Sequence, residues 1–229
     1  MPSLALAAPP PLREGDRLDS REFLRRWEAM PDLHHAELID GVVYCMPSAV
    51  ARKHGTTQFR ISYWLGHYVD ATPGTEAGTE ATWVMGPKSV PQPDVALRIL
   101  PECGGQSNDT GEYFGGAAEL VVEVSGSSLS RDLGSKLRAY EQAGVREYIT
   151  VLLETRQVVW RHLVRGKYRE IEAGSDGWLR SHIFPGLWLD PATVWNPRKP
   201  LRVALDAGLQ SPEHAAFVKR LAAAKRRGK

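Results

Sequence analysis

Two acidic side chains stand in strand-like segments, where a carboxylate is unusual. Glu123 interrupts the apolar run 120–124, whose β-branched composition predicts a central strand covered on both faces. A buried carboxylate costs on the order of several kcal/mol unless a cation or strong donors meet it. Asp94 follows Gln92-Pro93 and opens a second strand-like segment. Because Mg²⁺ takes oxygen ligands and keeps several waters, Asp94 and Glu123 would suffice to hold one ion beside a phosphate.

A lysine in the next helical segment can add a positive charge. Leu133, Leu137 and Tyr140 recur at helical spacing and are predicted to face the core. At about 100° per residue, Lys136 lies at the edge of this stripe, from which its long stem can reach the end of the sheet. The three residues together form a moderately specific pattern for phosphate chemistry.

Each of these residues also has a purely structural interpretation. Asp94 would serve equally as a turn or cap residue, and Lys136 as the i,i+4 partner of Asp132. Glu123 would be satisfied by a buried arginine such as Arg60.

The surrounding pattern alternates helices and strands. Asp40-Gly41 supplies the positive φ angles of a tight hairpin turn over 36–44. Helices are predicted near 20–30, over 52–70, between the serines at 127–130 and Gly144, and from Ser211 onward. Further strands are predicted at 81–85, 94–100, 148–153, 158–160, 168–171 and 178–183, with a loop over 101–117.

Composition excludes several classes of protein. The chain has 229 residues, 42% hydrophobic and 24% charged, which is typical of a folded domain rather than a disordered chain. A net charge of +2 excludes a polycation, so any anionic partner would be met by a local patch. Cys45 and Cys103 are predicted to be free thiols, because they are few and far apart. No apolar run approaches the roughly 18 residues of a membrane span, and we expect a cytoplasmic protein.

Several motifs, in order along residues 15–195, resemble the Uma2 family of endonucleases within the PD-(D/E)XK nuclease superfamily. They are 37–41 (ELIDG), 93–95 (PDV), 120–125 (LVVEVS), Asp132 with Lys136 and Tyr140, 144–148 (GVREY) and 185–187 (PGL). The resemblance implies an α/β (α+β) fold with a restriction-endonuclease-like core, in which helices flank a mixed β-sheet with extra β-hairpins. It also implies that Asp94 and Glu123 hold Mg²⁺ or Mn²⁺ and that the substrate is DNA.

The resemblance also assigns roles to further residues. The superfamily carries a lysine two residues after the second acid, where this chain has Ser125, so the resemblance implies that Lys136 has taken that role. Glu37 matches an early acidic residue that often lies near the metal, and a structural cap is the alternative role for it. Gln92, His54 and Ser125 are candidates for contact with substrate.

These observations favour a metal-dependent endonuclease that hydrolyses DNA phosphodiester bonds. We expect an extended stub over 1–14, a nuclease-like domain over 15–198 and a basic helical tail over 199–229, which is either a solvated helix end or a phosphate-binding arm. Ser125 and the near-neutral charge motivate the alternative, a nuclease-like fold that binds nucleic acid or a protein without cutting. Hydrolysis of a smaller phosphoester would use the same residues. A homodimer would suit cleavage of both strands of a duplex.

Overall fold

A six-stranded mixed sheet lies at the centre of the fold. The computed structural model describes residues 8–46, 50–126, 128–196 and 198–227. In chain order the helices and strands are α1 (Ser20–Trp27), β1 (Ala36–Ile39), β2 (Val42–Cys45), α2 (Arg52–Ala71), β3 (Thr75–Gly78), β4 (Trp83–Val84), β5 (Val95–Ile99), β6 (Asn108–Thr110), β7 (Tyr113–Gly115), β8 (Leu120–Ser125), α3 (Leu129–Asp132), α4 (Ser135–Ala143), β9 (Glu147–Leu152), β10 (Gln157–Val164), β11 (Lys167–Glu170), β12 (Leu179–Arg180), β13 (Trp188–Leu189), α5 (Pro191–Val194), α6 (Val203–Leu209) and α7 (Pro212–Arg227). This architecture confirms the predicted mixed sheet flanked by helices.

The strand order of the central sheet is β11-β10-β9-β8-β5-β3. β8 runs parallel to β9, and the other neighbouring pairs are antiparallel. Every residue of β8 is buried, as its continuous apolar composition predicts. Val122 and Val124 pack with the core under α2, whereas Val121 packs with Tyr140 of α4. Since side chains alternate along a strand, Glu123 lies on the α4 face.

Helix α2 covers one face of this sheet. Ile61, Trp64, Leu65 and Tyr68 follow the i, i+3, i+4, i+7 spacing of a core-facing stripe, and all four are fully buried. The indole of Trp64 meets that of Trp160 edge to face, with ring centroids 5.9 Å apart. This packing confirms the predicted helix over 52–70 and fixes it to the sheet.

The predicted loop over 101–117 is wrong in part. This stretch contains a short 3₁₀ turn at Pro101–Cys103 and the β6-β7 hairpin, and β7 pairs in parallel with β4. Its Gly-, Ser- and Asn-rich composition does not reveal the hairpin, because the strands depend on pairing with β4, which is distant in sequence. β3 was likewise not predicted, and the predicted strand at 178–183 is shortened to β12.

The helix predicted between residues 127 and 144 is interrupted. It forms two pieces, α3 and α4, separated at Gly134, whose φ and ψ of −114° and −97° are not helical. Tyr140 is buried as predicted, but Leu133 lies before the break and is 38% exposed, so its predicted core position is wrong. The interruption places Lys136 in the first turn of α4. Ser127, one of the predicted caps, lies outside the described residues.

The C-terminal helices pack against the same core as the sheet. Phe217 and Leu221 of α7 and Leu205 of α6 are buried in the cluster that lies under α2. His214 Nε2 lies 2.9 Å from Thr72 Oγ1, which ties α7 to the end of α2. The last turn of α7 is basic, as predicted for this segment.

The predicted N-terminal stub packs on the core through Leu12. In the predicted N-terminal stub, residues 1–7 lie outside the described part, and Leu12 is buried beside Phe23. Cys45 and Cys103 form no disulfide. Within the described ranges, no helix has the length and apolar character needed to cross a membrane.

Candidate active site

Strand register brings Asp94 and Glu123 together. Val95 pairs with Val122 in the antiparallel β5-β8 ladder, so Asp94 lies opposite Glu123 at the next position. Directly opposite residues of neighbouring strands share a face of the sheet. The backbone N–H of Val124 donates to Asp94 Oδ2 at 2.6 Å, which fixes that carboxylate against β8. Asp94 therefore makes this hydrogen bond across the sheet, to a residue 30 positions away in the chain.

Lys136 joins two buried carboxylates. Its Nζ lies 2.9 Å from Glu123 Oε1 and 2.8 Å from Glu37 Oε1. The hydroxyl of Tyr140, one turn further along α4, donates to Glu123 Oε1 at 2.6 Å. All three charged residues are at most 3% exposed. Lys136 thus compensates acids from β1 and β8 at the same time.

The structural alternatives considered for Glu123 and Lys136 do not occur. Arg60 donates to the backbone carbonyls of residues 193, 196 and 199, and the hydrogen bonds to Glu123 come from Lys136 and Tyr140. Asp132 accepts hydrogen bonds from Ser125 and Ser128 instead of from Lys136.

Glu37 reaches the site through β1. An isolated bridge between Leu38 and Val90 joins β1 to the segment that precedes Asp94. The backbone N–H of Gln92 donates to Glu37 Oε1 at 2.8 Å, so the same oxygen meets this N–H and the ammonium of Lys136. Glu37 Oε2 is buried and has no hydrogen-bond partner among the described residues.

Burial and neighbouring charge control the protonation of this cluster. Burial raises the pKa of Glu123 well above its ordinary value, Lys136 opposes the rise, and the nearby acids Asp94, Asp132 and Glu37 add to it. Burial acts to lower the pKa of Lys136, but Glu123 and Glu37 outweigh it and the net pKa is raised. Lys136 therefore remains an ammonium and compensates the acids around it.

These side chains line a cleft of about 360 Å³. Six carboxyl groups face it among the described residues, from Glu37, Glu80, Asp94, Glu123, Asp132 and Glu154, against three Lys or Arg side chains, from Lys53, Arg131 and Lys136. An excess of carboxylates in a partly enclosed space attracts cations. The cleft is therefore acidic although the whole chain is not.

The three candidates for substrate contact lie at different depths. His54 and Gln92 both line the cleft. His54 Nε2 is 3.2 Å from Asp94 Oδ1, and this hydrogen bond raises the pKa of the imidazole despite partial burial. Ser125 is 2% exposed and donates to Asp132 Oδ2 at 2.8 Å. Ser125 therefore supports Asp132, and its geometry does not favour the predicted contact with substrate.

Asp132 is the residue whose place the sequence did not reveal. It is 1% exposed, lines the cleft, and accepts hydrogen bonds from the hydroxyls of Ser125 and Ser128 on one oxygen. Its other oxygen, Oδ1, is buried without a hydrogen-bond partner among the described residues. The signal available in the sequence was an acid four residues before Lys136 and close to two serines. That spacing indicated an ion pair on the helix surface.

The donor set fits a divalent cation that is partly coordinated by water. Within the described ranges, no group of three or more His, Cys, Asp or Glu side chains forms a ready-made metal cage. Mg²⁺ does not require one, because one or two carboxylates plus waters and substrate phosphate suffice. The opposed Asp94 and Glu123, with the unpartnered oxygens of Glu37 and Asp132 nearby, supply such a set.

Comparison with known proteins identifies the family. The family model Uma2, described as "Putative restriction endonuclease", matches residues 21–192. The chain belongs to the Uma2 family. All the acidic and basic residues of the Uma2 cleft described above fall within the match, whereas α6 and α7 follow it.

A solved structure supports the same fold. The crystal structure of a "putative nuclease belonging to DUF820" from Anabaena variabilis is similar, with a TM-score of 0.52 and 16% sequence identity. The similarity covers 65% of this chain and 83% of that chain. At 16% identity, this similarity shows only that the Uma2 chain and that protein share a fold. No curated protein matches the sequence.

Proposed function

We propose that this protein is a metal-dependent endonuclease that hydrolyses phosphodiester bonds of DNA in the acidic cleft. The observation that carries the proposal is the placement of Asp94 and Glu123 opposite each other on β5 and β8, with the Lys136 ammonium 2.9 Å from Glu123. Membership of a family described as restriction endonucleases supports the reaction class.

Asp94 and Glu123 would hold one Mg²⁺ or Mn²⁺ ion. When bound, such an ion supplies a water of lowered pKa and neutralises charge on the scissile phosphate. The residues around the two acids set their orientation: Val124 N–H holds Asp94, while Tyr140 and Lys136 hold Glu123. This arrangement leaves Glu123 Oε2 without a hydrogen bond among the described residues and able to act as a ligand.

Lys136 can also act directly on substrate. An ammonium has three N–H donors, and two of those of Lys136 are directed at Glu123 and Glu37. The third is available to a water or a phosphate oxygen in the cleft. Lys53 and Arg131 line the same cleft and would contact the flanking phosphates, which position a strand without reading its sequence.

The alternative is a nuclease-like fold that binds nucleic acid without cutting it. Ser125 favours it, because this position carries a hydroxyl committed to Asp132 instead of the lysine of the superfamily pattern. The two proposals differ in one observable: the alternative predicts binding of DNA without turnover in Mg²⁺ or Mn²⁺.

Nicking of supercoiled plasmid tests the proposal. The wild type should cut with Mg²⁺ or Mn²⁺ and stop when the metal is chelated. Asp94→Asn and Glu123→Gln preserve shape but weaken the ligand charge, so each should lower the rate by about a hundredfold or more, the scale of losing about 3 kcal/mol of transition-state stabilisation. Glu172→Gln, at an exposed carboxyl elsewhere, should cut like the wild type.

Full metal-dependent nicking by the Asp94→Asn, Glu123→Gln double variant would refute the assignment. Binding without cleavage by the wild type in both metals would favour the alternative. The oligomeric state of the active species, measured in the same buffer, checks the predicted homodimer.

A further inference from the structure

A second groove, of about 430 Å³, lies along the outer side of α2. Two aromatic rings of this helix form part of its wall: Phe59 is 72% exposed and Tyr63 is 51% exposed. The opposite wall carries Arg198, Lys199 and Arg202. Large exposed aromatic rings beside basic side chains are costly to leave in water and indicate a binding surface. We call this surface the aromatic groove.

Helix α2 contributes residues to both the acidic cleft and the aromatic groove, from different sides of the helix. His54 in the first turn of α2 lines the cleft, and Arg52, Thr56, Phe59 and Tyr63 form an exposed stripe at i, i+4, i+7 and i+11. At 1.5 Å of rise and about 100° of turn per residue, Phe59 and Tyr63 lie about 7.5 Å and 13.5 Å beyond His54 and point about 140° and 180° away from it. A strand held by both surfaces would have to cross α2 as well as run along it.

Hydrogen bonds between α2 and the segments that follow β13 hold the aromatic groove in shape. The Arg60 guanidinium donates to the carbonyl oxygens of Thr193 at 2.7 Å and of Asn196 and Lys199 at 3.2 Å. This fastens the segment that carries the basic wall to α2. Tyr63 stacks on His67 with an interplanar angle of 12°, and His67 Nε2 lies 3.0 Å from Asp206. His67 therefore supports the ring of Tyr63 in the wall of the groove.

Charge separates two kinds of occupant. Arg198, Lys199 and Arg202 are all exposed, and Asp206, which lies 3.7 Å from Arg202, is also engaged by His67. In a two-fold dimer formed through this groove, the basic wall of one copy would lie near the basic wall of the other. The like charges would repel each other, which disfavours such a dimer. A polyanion with flat aromatic groups, in contrast, would be attracted by the basic side chains and would stack on the two rings.

We propose that the aromatic groove binds a single-stranded stretch of nucleic acid. Its bases would stack on Phe59 and Tyr63, and its phosphates would meet Arg198, Lys199 and Arg202. The rings are about 6 Å apart along the helix axis, on the order of two base steps of 3.4 Å. The proposal deepens the proposed function, on which it rests for the choice of nucleic acid as the ligand.

Binding of a fluorescent single-stranded DNA of about 12 nucleotides, in chelator so that nothing is cut, tests this proposal. Phe59→Ala with Tyr63→Ala should weaken binding by at least about tenfold, because each stacked base contributes substantially. Phe59→Tyr with Tyr63→Phe preserves both rings and should bind like the wild type. Val164→Ala, at an exposed apolar side chain on β10, is the matched control and should have no effect.

Salt dependence gives a second readout. Replacing Arg198 and Lys199 by glutamine removes two phosphate contacts and should lower the slope of log affinity against log salt by about 1.4. Wild-type affinity in the double alanine variant, or no binding by the wild type at low salt, would overturn the proposal. So would a wild-type dimer that the double alanine substitution dissociates, since a second copy would then occupy the groove.

Failure here is distinguishable from failure of the proposed cleavage. The binding measurement contains no metal and needs no chemistry at Asp94 or Glu123. If the double alanine variant binds normally while the wild type nicks plasmid, only the aromatic groove is wrong. If the rings matter for binding but no metal supports cutting, only the endonuclease proposal is wrong.

Discussion

At the scale of single residues, the arrangement around Lys136 decides the chemistry of the cleft. One ammonium is shared by Glu37 and Glu123, and one oxygen of Glu37 has no hydrogen-bond partner among the described residues. Burying each ion costs on the order of several kcal/mol, even after the protein relaxes around it. Such a cluster is stable only when its charges compensate one another. This makes the cluster sensitive both to substitution and to pH.

Replacing Lys136 by methionine, which preserves length without charge, should destabilise the fold by about 3–5 kcal/mol near neutral pH. The loss should shrink as pH falls, because protonation of Glu123 then removes the uncompensated charge. Urea denaturation at several pH values measures both effects. Lys53→Met, at an exposed lysine of the same cleft, should change stability by no more than about 0.5 kcal/mol. Equal stability of Lys136→Met and wild type would contradict the account.

Glu147 provides a separate pH prediction far from the cleft. Its carboxylate accepts hydrogen bonds from Ser181, from the backbone of His182 and Ile183, and from Trp160, yet burial raises its pKa to about 7. Because the folded pKa lies above the ordinary value of 4.5, the folded state holds the proton more tightly. The stabilisation from this tighter proton binding is complete below the ordinary pKa of 4.5. It declines as the pH rises through the pKa of the folded state.

The stability of wild type relative to Glu147→Gln should therefore fall by about 2–3 kcal/mol as pH rises from 4.5 to 7. Chemical denaturation across this window gives the difference directly. The corresponding difference for Glu172→Gln, at an exposed carboxyl, should be nearly flat. A Glu147 difference that grows with pH would show that its hydrogen bonds outweigh burial.

At the scale of elements, the break between α3 and α4 positions the catalytic candidates. Gly134 lies at the break, and a Cβ there would lie 2.5 Å from the backbone oxygen of Ser130. The close approach lets α3 present Asp132 and α4 present Lys136 to the same cleft.

Two glycine-to-alanine substitutions should consequently have opposite effects. Gly134→Ala forces the two short helices apart and should destabilise the fold by about 1–3 kcal/mol. Gly66→Ala lies inside α2, where an added Cβ meets nothing within 4 Å, and should stabilise by about 0.5–1 kcal/mol. Urea midpoints of the two variants measure the contrast. A neutral Gly134→Ala would show that the junction tolerates the methyl group and does not fix Lys136.

Elements with strong local patterns were predictable, and elements that depend on distant partners were not. The apolar run at 120–124 and the Asp40-Gly41 turn specify β8 and the β1-β2 hairpin, where the turn residues have φ of 51° and 78°. β7 forms because β4 lies beside it, and the helix break at Gly134 depends on a close backbone contact. Neither feature has a periodic signal in the sequence.

The same division applies to the site. The sequence indicated that Asp94 at a strand start, Glu123 in a central strand and Lys136 on the following helix would meet, and the family resemblance added Glu37. It did not indicate the burial of Asp132 by two serines, which requires the turn through α3. The aromatic groove could not be predicted from the sequence either. Its two walls are joined by hydrogen bonds from Arg60 to residues more than 130 positions away.

At the scale of the whole molecule, a net charge of +2 conceals an uneven distribution. Carboxylates outnumber cations in the cleft, whereas the aromatic groove is basic. A phosphodiester would be attracted to the groove but repelled by bare carboxylates in the cleft. A divalent cation reverses the local sign, so phosphate would enter the cleft only after the cation has bound.

The account depends on Asp94 and Glu123 jointly holding that cation. A crystal soaked in Mn²⁺ locates the ion by its anomalous scattering. The account predicts one ion in the cleft, with oxygen atoms of both carboxylates about 2.0–2.5 Å from it. Mn²⁺ bound elsewhere, or held by neither Asp94 nor Glu123 at saturating concentration, would contradict it.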